Sequence, residues 1–481
     1  MITISIFSFV SSPFYGTHYM HDSSMFEIIG KGWGKGLLPY RDLWDSKGPY
    51  VFFINMVGYF CGGKLGLFLL EIINIWITKW WIFKIFRMSL NKLPSLILTM
   101  LSVIIFAPIY WYYGNNQAEW CLPFLAASMY YIYSFAISEK NEHSIKGGFV
   151  YGITVGISIM SRFTNCIFVA LCSLFILVWL INKKSWKNIW QNILAGALGI
   201  LVVVLPFTLY FVINGAFYDM FYATFLYNLK YVQDGYFVEG ISFYLVRVII
   251  YSPFMLLNLY LLVKHAIHKE FKKILIWLIP LNLSFLYIEF LTYAFLHYFL
   301  IFLPFGVTIV TDFIKEKNSI LAKVAPIVFL VLHGFACTYS IMLPEFWPDT
   351  PFIDQQFIVS EFMSKIPKNA SFLAINEPKQ HTSYLKYNFL PNNKYFYFQE
   401  ICANIDKNIK SDILNDFKNN MPDYILFSDG LYISLTTKMP TIKESIYSPF
   451  FDQYYNIIDY RAINDSSNII NIYLLKLKTA N

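Results

Sequence analysis

The sequence is poor in charge, cysteine and metal-ligand spacing. Only 14% of its 481 residues are charged, against roughly 25% in an ordinary soluble protein. Six cysteines stand at 61, 121, 166, 172, 337 and 402. Only Cys402 falls in the polar C-terminal part, so no disulfide can form within that part. There is no Cys-x-x-Cys pair and no Cys/His spacing for zinc, so no structural metal is expected. Nucleic-acid modules are also missing, and nucleic acid is not an expected partner. No internal repeat or low-complexity segment is found. The N-terminal apolar stretch lacks the basic start and small-residue site of a cleavable signal peptide.

What is abundant is apolar surface. Hydrophobic residues make up 57% and aromatics 20%, with a mean hydropathy of +0.49. About 20 apolar residues cross a bilayer core of about 30 Å. Eleven apolar stretches suggest spans near 2–17, 66–87, 94–113, 120–137, 147–160, 164–182, 190–213, 242–263, 273–291, 298–314 and 320–342. Arg162 interrupts one long apolar run, which leaves 147–182 open to two short helices or one long one. The expected fold is mainly α, a polytopic transmembrane helical bundle of about 11 spans, followed by a small extracytoplasmic α/β domain. The expected domains are 1–342 and 343–481. The second carries 13 Lys+Arg against 15 Asp+Glu, which leaves a net +9 on the first.

Basic residues cluster in short connections near 84–92, 140–146, 183–187, 264–273 and 315–323. The positive-inside rule places these, and the N-terminus, in the cytoplasm, with anionic membrane lipids as neighbours. Residues 18–65, 114–119, 214–241 and 292–297 and the C-terminal domain then lie outside. That arrangement requires the short apolar stretch 49–62 to lie along the interface rather than cross. In the tail, SFLAIN (371–376), KYFYF (394–398), DYILFS (423–428) and NIINIYLLKL (468–477) have strand composition. Residues 354–365 and 409–420 have helical spacing.

Charge returns in one place, the first external loop, YMHDSSMFEIIGKGWGKGLLPYRDLWDSKGPY (19–50). Asp22 is placed to cap a helix whose Met25, Ile28 and Ile29 share one face. Arg41, Asp42, Asp45 and Lys47 follow within seven residues, and Gly48-Pro49 closes the loop. Elsewhere, Arg162, Glu71 and Lys79 sit in apolar surroundings, where a charge is costly unless paired or wet. Glu71 and Lys79 are eight residues apart, about 12 Å along a helix, too far to pair directly. Glu119 stands at the outer start of a span, and loop 214–241 is rich in aromatics suited to a membrane interface.

This loop resembles that of the bacterial GT-C glycosyltransferases, polytopic enzymes related to the protein O-mannosyltransferase and aminoarabinose transferase families. The matching residues are Asp22, Gly36, Pro39, Tyr40, Arg41, Asp42, Asp45, Lys47, Gly48 and Pro49. Glu119-Trp120 and His297-Tyr298-Phe299 extend the likeness over the hydrophobic part. The resemblance implies transfer of a sugar from a polyprenyl phosphate to an extracytoplasmic hydroxyl on a glycan, lipid or protein. It implies inversion at the anomeric carbon and makes Asp22 the candidate general base. Chemistry agrees: one carboxylate can take the acceptor proton, while the departing phosphate needs cations rather than an acid.

Lys47 and Arg41 are candidates for holding that phosphate, with ordinary snorkelling to lipid headgroups as the plainer alternative. Asp42 and Asp45 are candidates for orienting those cations or the sugar, or for plain surface pairing. Arg162 and His297 are further candidate substrate contacts. This sequence has Ser23 where relatives often carry a second acid. Ser46 takes the place of the acid with which some relatives bind a metal, so neither a metal nor a cofactor is expected. Two other functions remain open: transport of lipid-linked sugars, and a membrane anchor that presents the tail as a binding module.

Overall fold

The computed structural model describes residues 11–12, 21–110, 114–233, 241–291, 296–315, 319–337, 350–376, 382–397, 399–429, 432–434, 437–438, 440–465 and 468–478. The chain divides into two compact units. One comprises Met1–Ser12, Phe68–Tyr210 and Glu239–Glu345; the other comprises Pro13–Leu67, Phe211–Val238 and Phe346–Asn481.

The first unit is helical. Among the described residues, six helices are long and apolar enough to cross a membrane: Lys64–Arg87, Gln117–Ile137, Phe163–Asn182, Trp186–Ile213, Phe271–Glu289 and Tyr298–Lys315. Shorter apolar helices, among them Lys92–Ser102, Ile145–Ile159, Ser252–Ile267 and Lys323–His333, fall in four of the other expected spans. The expected first span near 2–17 lies almost entirely outside the described residues.

The run around Arg162 resolves into two helices. Ile145–Ile159 ends at Met160, and a short 3-10 turn, Phe163–Cys166, leads into Ile167–Asn182. The outer surface of the unit is apolar: Trp76, Trp80, Leu194, Leu198, Leu201 and Leu256 are all exposed. Such a continuous apolar exterior suits a hydrocarbon solvent, since soluble monomers rarely expose patches of this extent.

Glycine sets the closest packing. Gly148, Gly152 and Gly156 recur every fourth residue on Ile145–Ile159 and face Trp186–Ile213. A Cβ on Gly152 would stand 2.0 Å from the Gly196 carbonyl oxygen. Only a missing side chain lets these two backbones touch, the arrangement common between helices in lipid.

Several charged side chains inside this unit are paired, which offsets the cost of burial in a low-dielectric medium. Glu71 accepts hydrogen bonds from the Ser11 hydroxyl and from the Asn115 N–H. Lys79 donates to Ser102 Oγ at 2.6 Å and to the Thr99 carbonyl at 3.2 Å. His265 is held between two carboxylates, Glu270 at Nδ1 and Asp312 at Nε2, the latter at 2.7 Å. Tyr133 donates to the other oxygen of Asp312 at 3.0 Å.

The second unit combines the first loop with the C-terminal part. Its four-stranded sheet has the order β1-β2-β6-β5, where β1 is Phe372–Ile375, β2 Tyr424–Asp429, β5 Tyr455–Asp465 and β6 Asn468–Leu477. β1 and β2 run parallel; β2 with β6 and β5 with β6 are antiparallel. A small hairpin pairs β3, Tyr432–Ser434, with β4, Thr437–Lys438. All of β1 and β2 is buried, so each reads as a short apolar run rather than an alternation. Helices Thr350–Ser364 and Lys407–Asn419 match the expected helical stretches.

The stretch 394–398 is a correction. Lys394, Tyr395, Phe396 and Tyr397 form no strand; the three aromatics instead bury their rings. Aromatic composition reported burial here, not backbone pairing.

Candidate functional site

The loop that carries the charges is anchored between two helices of the second unit. His21–Gly34 buries Met25, Phe26, Ile28 and Ile29. Pro49–Phe60 begins with Pro49 in its first turn, directly after Gly48, where the missing N–H costs nothing. It is a 12-residue helix, too short to span a bilayer. The two helices pack closely at Gly30, where a Cβ would meet the Asn55 backbone at 2.6 Å.

Between them the chain is pinned atom by atom. Asp42 Oδ2 accepts the Leu38 N–H at 2.7 Å, and the Asp42 N–H returns to the Leu38 carbonyl at 2.9 Å. Tyr40 takes a left-handed conformation, φ 71°, unusual for a bulky residue and held only where the surroundings impose it. Those surroundings are visible. Its N–H donates to the Leu43 carbonyl at 2.7 Å and its hydroxyl to the Lys47 carbonyl at 2.8 Å. Its fully buried ring meets Phe52 and Phe211 edge-on. Trp44 donates its backbone N–H to the Lys394 carbonyl at 2.8 Å and packs its indole against Tyr395 and Tyr227. Asn228 donates to the Ser46 carbonyl at 2.7 Å.

The result is a fixed cluster at the end of the loop. Asp45 has no exposed surface; its Oδ1 accepts the Lys47 N–H at 2.9 Å and lies 4.0 Å from the Lys47 ammonium. Burial raises the Asp45 carboxyl above its ordinary value, Lys47 pulls it down, and Asp22 adds to the rise. Tyr397, wholly buried, lies against the same carboxylate and also feels Asp22; burial and then the Asp45 charge raise its phenol. Cys402 stands nearby and burial pushes its thiol up to about 11, which makes it inert as a nucleophile.

Asp22 is the second residue of its helix rather than the residue before it, so it acts within the first turn, where the helix dipole favours a carboxylate. It is only partly buried. A solvent-reachable carboxylate, a sealed carboxylate and a partly exposed ammonium therefore share one neighbourhood. That set can accept a proton and hold an anion.

The structure brings Asp22, Asp45 and Lys47 together and sets Arg41 and Asp42 apart as a pair of their own. Arg41 Nε donates to Asp42 Oδ1 at 2.9 Å, and half of the arginine side chain is exposed. Burial alone would raise the Asp42 carboxyl, but the Arg41 and Leu38 donors outweigh it and hold it below its usual value. Asp42 thus closes a turn. Arg162 belongs to the membrane unit, where its guanidinium covers the ring of Tyr298. The His297 side chain lies outside the described residues.

Three residues of this neighbourhood were not predicted from sequence. Tyr397 lies in a stretch whose composition suggests a strand. Lys31, on the first helix, donates to Asn388 Oδ1 at 2.8 Å and to the Phe389 carbonyl at 3.2 Å; burial, then the nearby Lys35, lowers its ammonium to about 8. Asn228 lies in the aromatic-rich stretch 214–241, where nothing local marks it. None of the three carries a local motif, because each acts through a partner remote in sequence.

Comparison with known proteins places this architecture. The fold is similar to that of ArnT from Cupriavidus metallidurans, in crystal structures bound to undecaprenyl phosphate and in the apo state. The first superposes with a TM-score of 0.57 at 10% identity, over 98% of this chain and 97% of that one. The second gives 0.59 at 11% identity, over 98% and 96%. The protein is therefore a membrane protein of ArnT-like, GT-C-like fold. Residues 2–325 match the competence-induced Ccs4 N-terminal domain family, and the chain belongs to it. No curated protein sequence matches.

Proposed function

We propose that the chain is an integral membrane glycosyltransferase that moves a sugar from a polyprenyl-phosphate donor to a hydroxyl of an extracytoplasmic glycan, lipid or protein. The observation that carries this reading is the Asp22–Asp45–Lys47 neighbourhood, built on an ArnT-like fold that extends over nearly the whole chain. Undecaprenyl phosphate in the solved relative supports a lipid-linked phosphate as the donor class.

In this reading Asp22 is the general base. It draws the proton from the acceptor hydroxyl as that oxygen attacks the anomeric carbon. The sugar–phosphate bond breaks on the opposite face, so the configuration inverts. The electron pair leaves with the polyprenyl phosphate, and the Lys47 ammonium balances the added charge. Asp45 holds the Lys47 backbone and is a positioning residue. Arg41, paired with Asp42, is the candidate second cation for that phosphate. The protein resides in the cell membrane, with the N-terminus cytoplasmic and the C-terminal part outside.

The test is sugar transfer by the purified, lipid-reconstituted chain from labelled polyprenyl-phosphate sugars to cell-envelope acceptors. Transfer that is lost in Lys47→Met supports the reading. Movement of the intact lipid-linked sugar across the bilayer, with no transfer to any acceptor, replaces it with transport.

A further inference from the structure

Helix Lys64–Arg87 ends in two basic residues, Lys84 and Arg87. From Ile73 onward its exposed side chains are Ile73, Trp76, Ile77 and Trp80, then the half-buried Lys84 and the exposed Arg87. Steps of three and four residues put all six on one face of the helix. The stripe is apolar from Ile73 to Trp80, about 10 Å, and cationic in the last turn. Hydrocarbon followed by positive charge is the complement of a lipid with an anionic head.

Lys84 is held back rather than extended. Its ammonium lies 4.4 Å from the centre of the Trp81 ring, 5.2 Å from Trp80 and 5.8 Å from Tyr130 of helix Gln117–Ile137. Cation–π attraction acts within about 6 Å. A lysine that only snorkelled would stretch past the helix end to water. One that only answered the helix dipole would lie at the last carbonyls. Here the side chain leans toward the helix start, over three aromatic faces. Trp81 packs on Tyr130 at 5.4 Å and Tyr130 on Tyr131 at 5.3 Å, so a second helix braces that floor.

Aromatic faces attract the charge but accept poorly from its N–H groups. Among the described residues neither Lys84 nor Arg87 pairs with a carboxylate; Arg87 donates to the Leu90 carbonyl at 2.6 Å. Two cations one turn apart thus stand at the end of a lipid-facing stripe without a counter-ion. General attraction of basic loops to an anionic leaflet needs no such fixed arrangement. A choline head is poorly suited: its own cation would meet these two, and Lys84 already occupies the rings that could hold it.

We infer that this helix end binds one anionic phospholipid, its phosphate between Lys84 and Arg87 and an acyl chain along Trp80, Ile77, Trp76 and Ile73. The inference is independent of the transferase reading.

The test uses the full chain in phosphatidylcholine nanodiscs that carry a small fraction of phosphatidylglycerol or phosphatidylcholine with a diazirine in the acyl chain. Crosslinked positions are mapped by peptide mass spectrometry. Labelling within 73–84 by the phosphatidylglycerol probe is expected to exceed that by the phosphatidylcholine probe about fivefold or more, the weight of about one basic residue at an anionic surface. At Leu194, Leu198 and Leu201, exposed on another helix, the two probes should label alike. In Lys84→Gln/Arg87→Gln the preference within 73–84 should vanish while labelling at 194–201 persists. Equal labelling within 73–84 by the two probes in the unaltered protein overturns the proposal whether or not the variant folds. An equal preference for phosphatidylglycerol at 194–201 overturns it too, since that is general attraction. Displacement of the probe by glycerophosphoglycerol, the same head without chains, would make this a site for a soluble anion and overturn the lipid assignment.

Discussion

Lys47 and Asp45 meet twice: the Lys47 backbone N–H donates to Asp45 Oδ1 at 2.9 Å, and the Lys47 ammonium lies 4.0 Å from the same oxygen. The carboxylate therefore sets both where the loop turns and where the cation sits. Asp45→Ala removes both contacts and should raise KM for the lipid donor about tenfold or more, the scale of a charged hydrogen bond. Asp45→Asn keeps an acceptor for the N–H and should restore most of the loss. Steady-state kinetics on the three proteins check this; an unchanged donor KM in Asp45→Ala contradicts it.

The burial of Asp45 has a signature in pH. Its carboxyl is raised in the folded state by burial, with Lys47 opposing, so across the window above the ordinary value of about 4 the folded chain holds the proton more tightly than the unfolded chain. Stability from this group is then full below that window and declines as pH rises through the folded value. Thermal unfolding of the natural protein should weaken relative to Asp45→Asn between pH 4 and the upper end of that window. Parallel profiles for the two proteins would contradict the assignment.

Lys31 fastens the first helix to the C-terminal part of its own unit through Asn388 and Phe389. Lys31→Met keeps the apolar stem and leaves two acceptors without their donor. It should cost about 1–3 kcal/mol, read as a lower unfolding midpoint, with the donor KM unchanged.

In the membrane unit, His265 sits between Asp312 and Glu270. Removing Asp312 leaves His265 Nε2 and the Tyr133 hydroxyl without their buried acceptor, at about 1–3 kcal/mol each. Asp312→Leu should therefore destabilise the protein severely in detergent. The double variant Asp312→Leu/His265→Leu should recover much of the loss, as a thermal-shift assay would show. No recovery in the double variant would mean that the pair is not the coupled unit described here.

Much of this architecture was legible in the sequence because lipid imposes simple demands. Long apolar runs became helices, and the 14-residue stretch 49–62 was too short to cross and became the helix Pro49–Phe60. Runs such as DYILFS became buried strands because β-branched and aromatic residues fit a sheet interior. Other features had no local sign. KYFYF has strand composition, but its Tyr395 and Tyr397 serve as buried packing beside Trp44 and Asp45. The four-residue spacing of Gly148, Gly152 and Gly156 is a sign of a close helix contact, but its partner surface at Gly196 appears only in three dimensions. The strand Tyr455–Asp465 has no clear sign in the sequence, since its exposed Ile457, Ile458 and Tyr460 blur the alternation that marks a strand. Within the site, the charges of loop 19–50 were visible, but their division into Arg41–Asp42 and Asp22–Asp45–Lys47 depends on the left-handed turn at Tyr40.

The central claim rests on the first acid of that loop. Asp22→Asn preserves size and leaves the loop hydrogen bonds untouched while removing the base. In purified, reconstituted protein supplied with a labelled polyprenyl-phosphate sugar and acceptor, the account predicts at least a hundredfold fall in kcat with little change in donor KM. Sugar transfer by Asp22→Asn at the rate of the natural protein would contradict it.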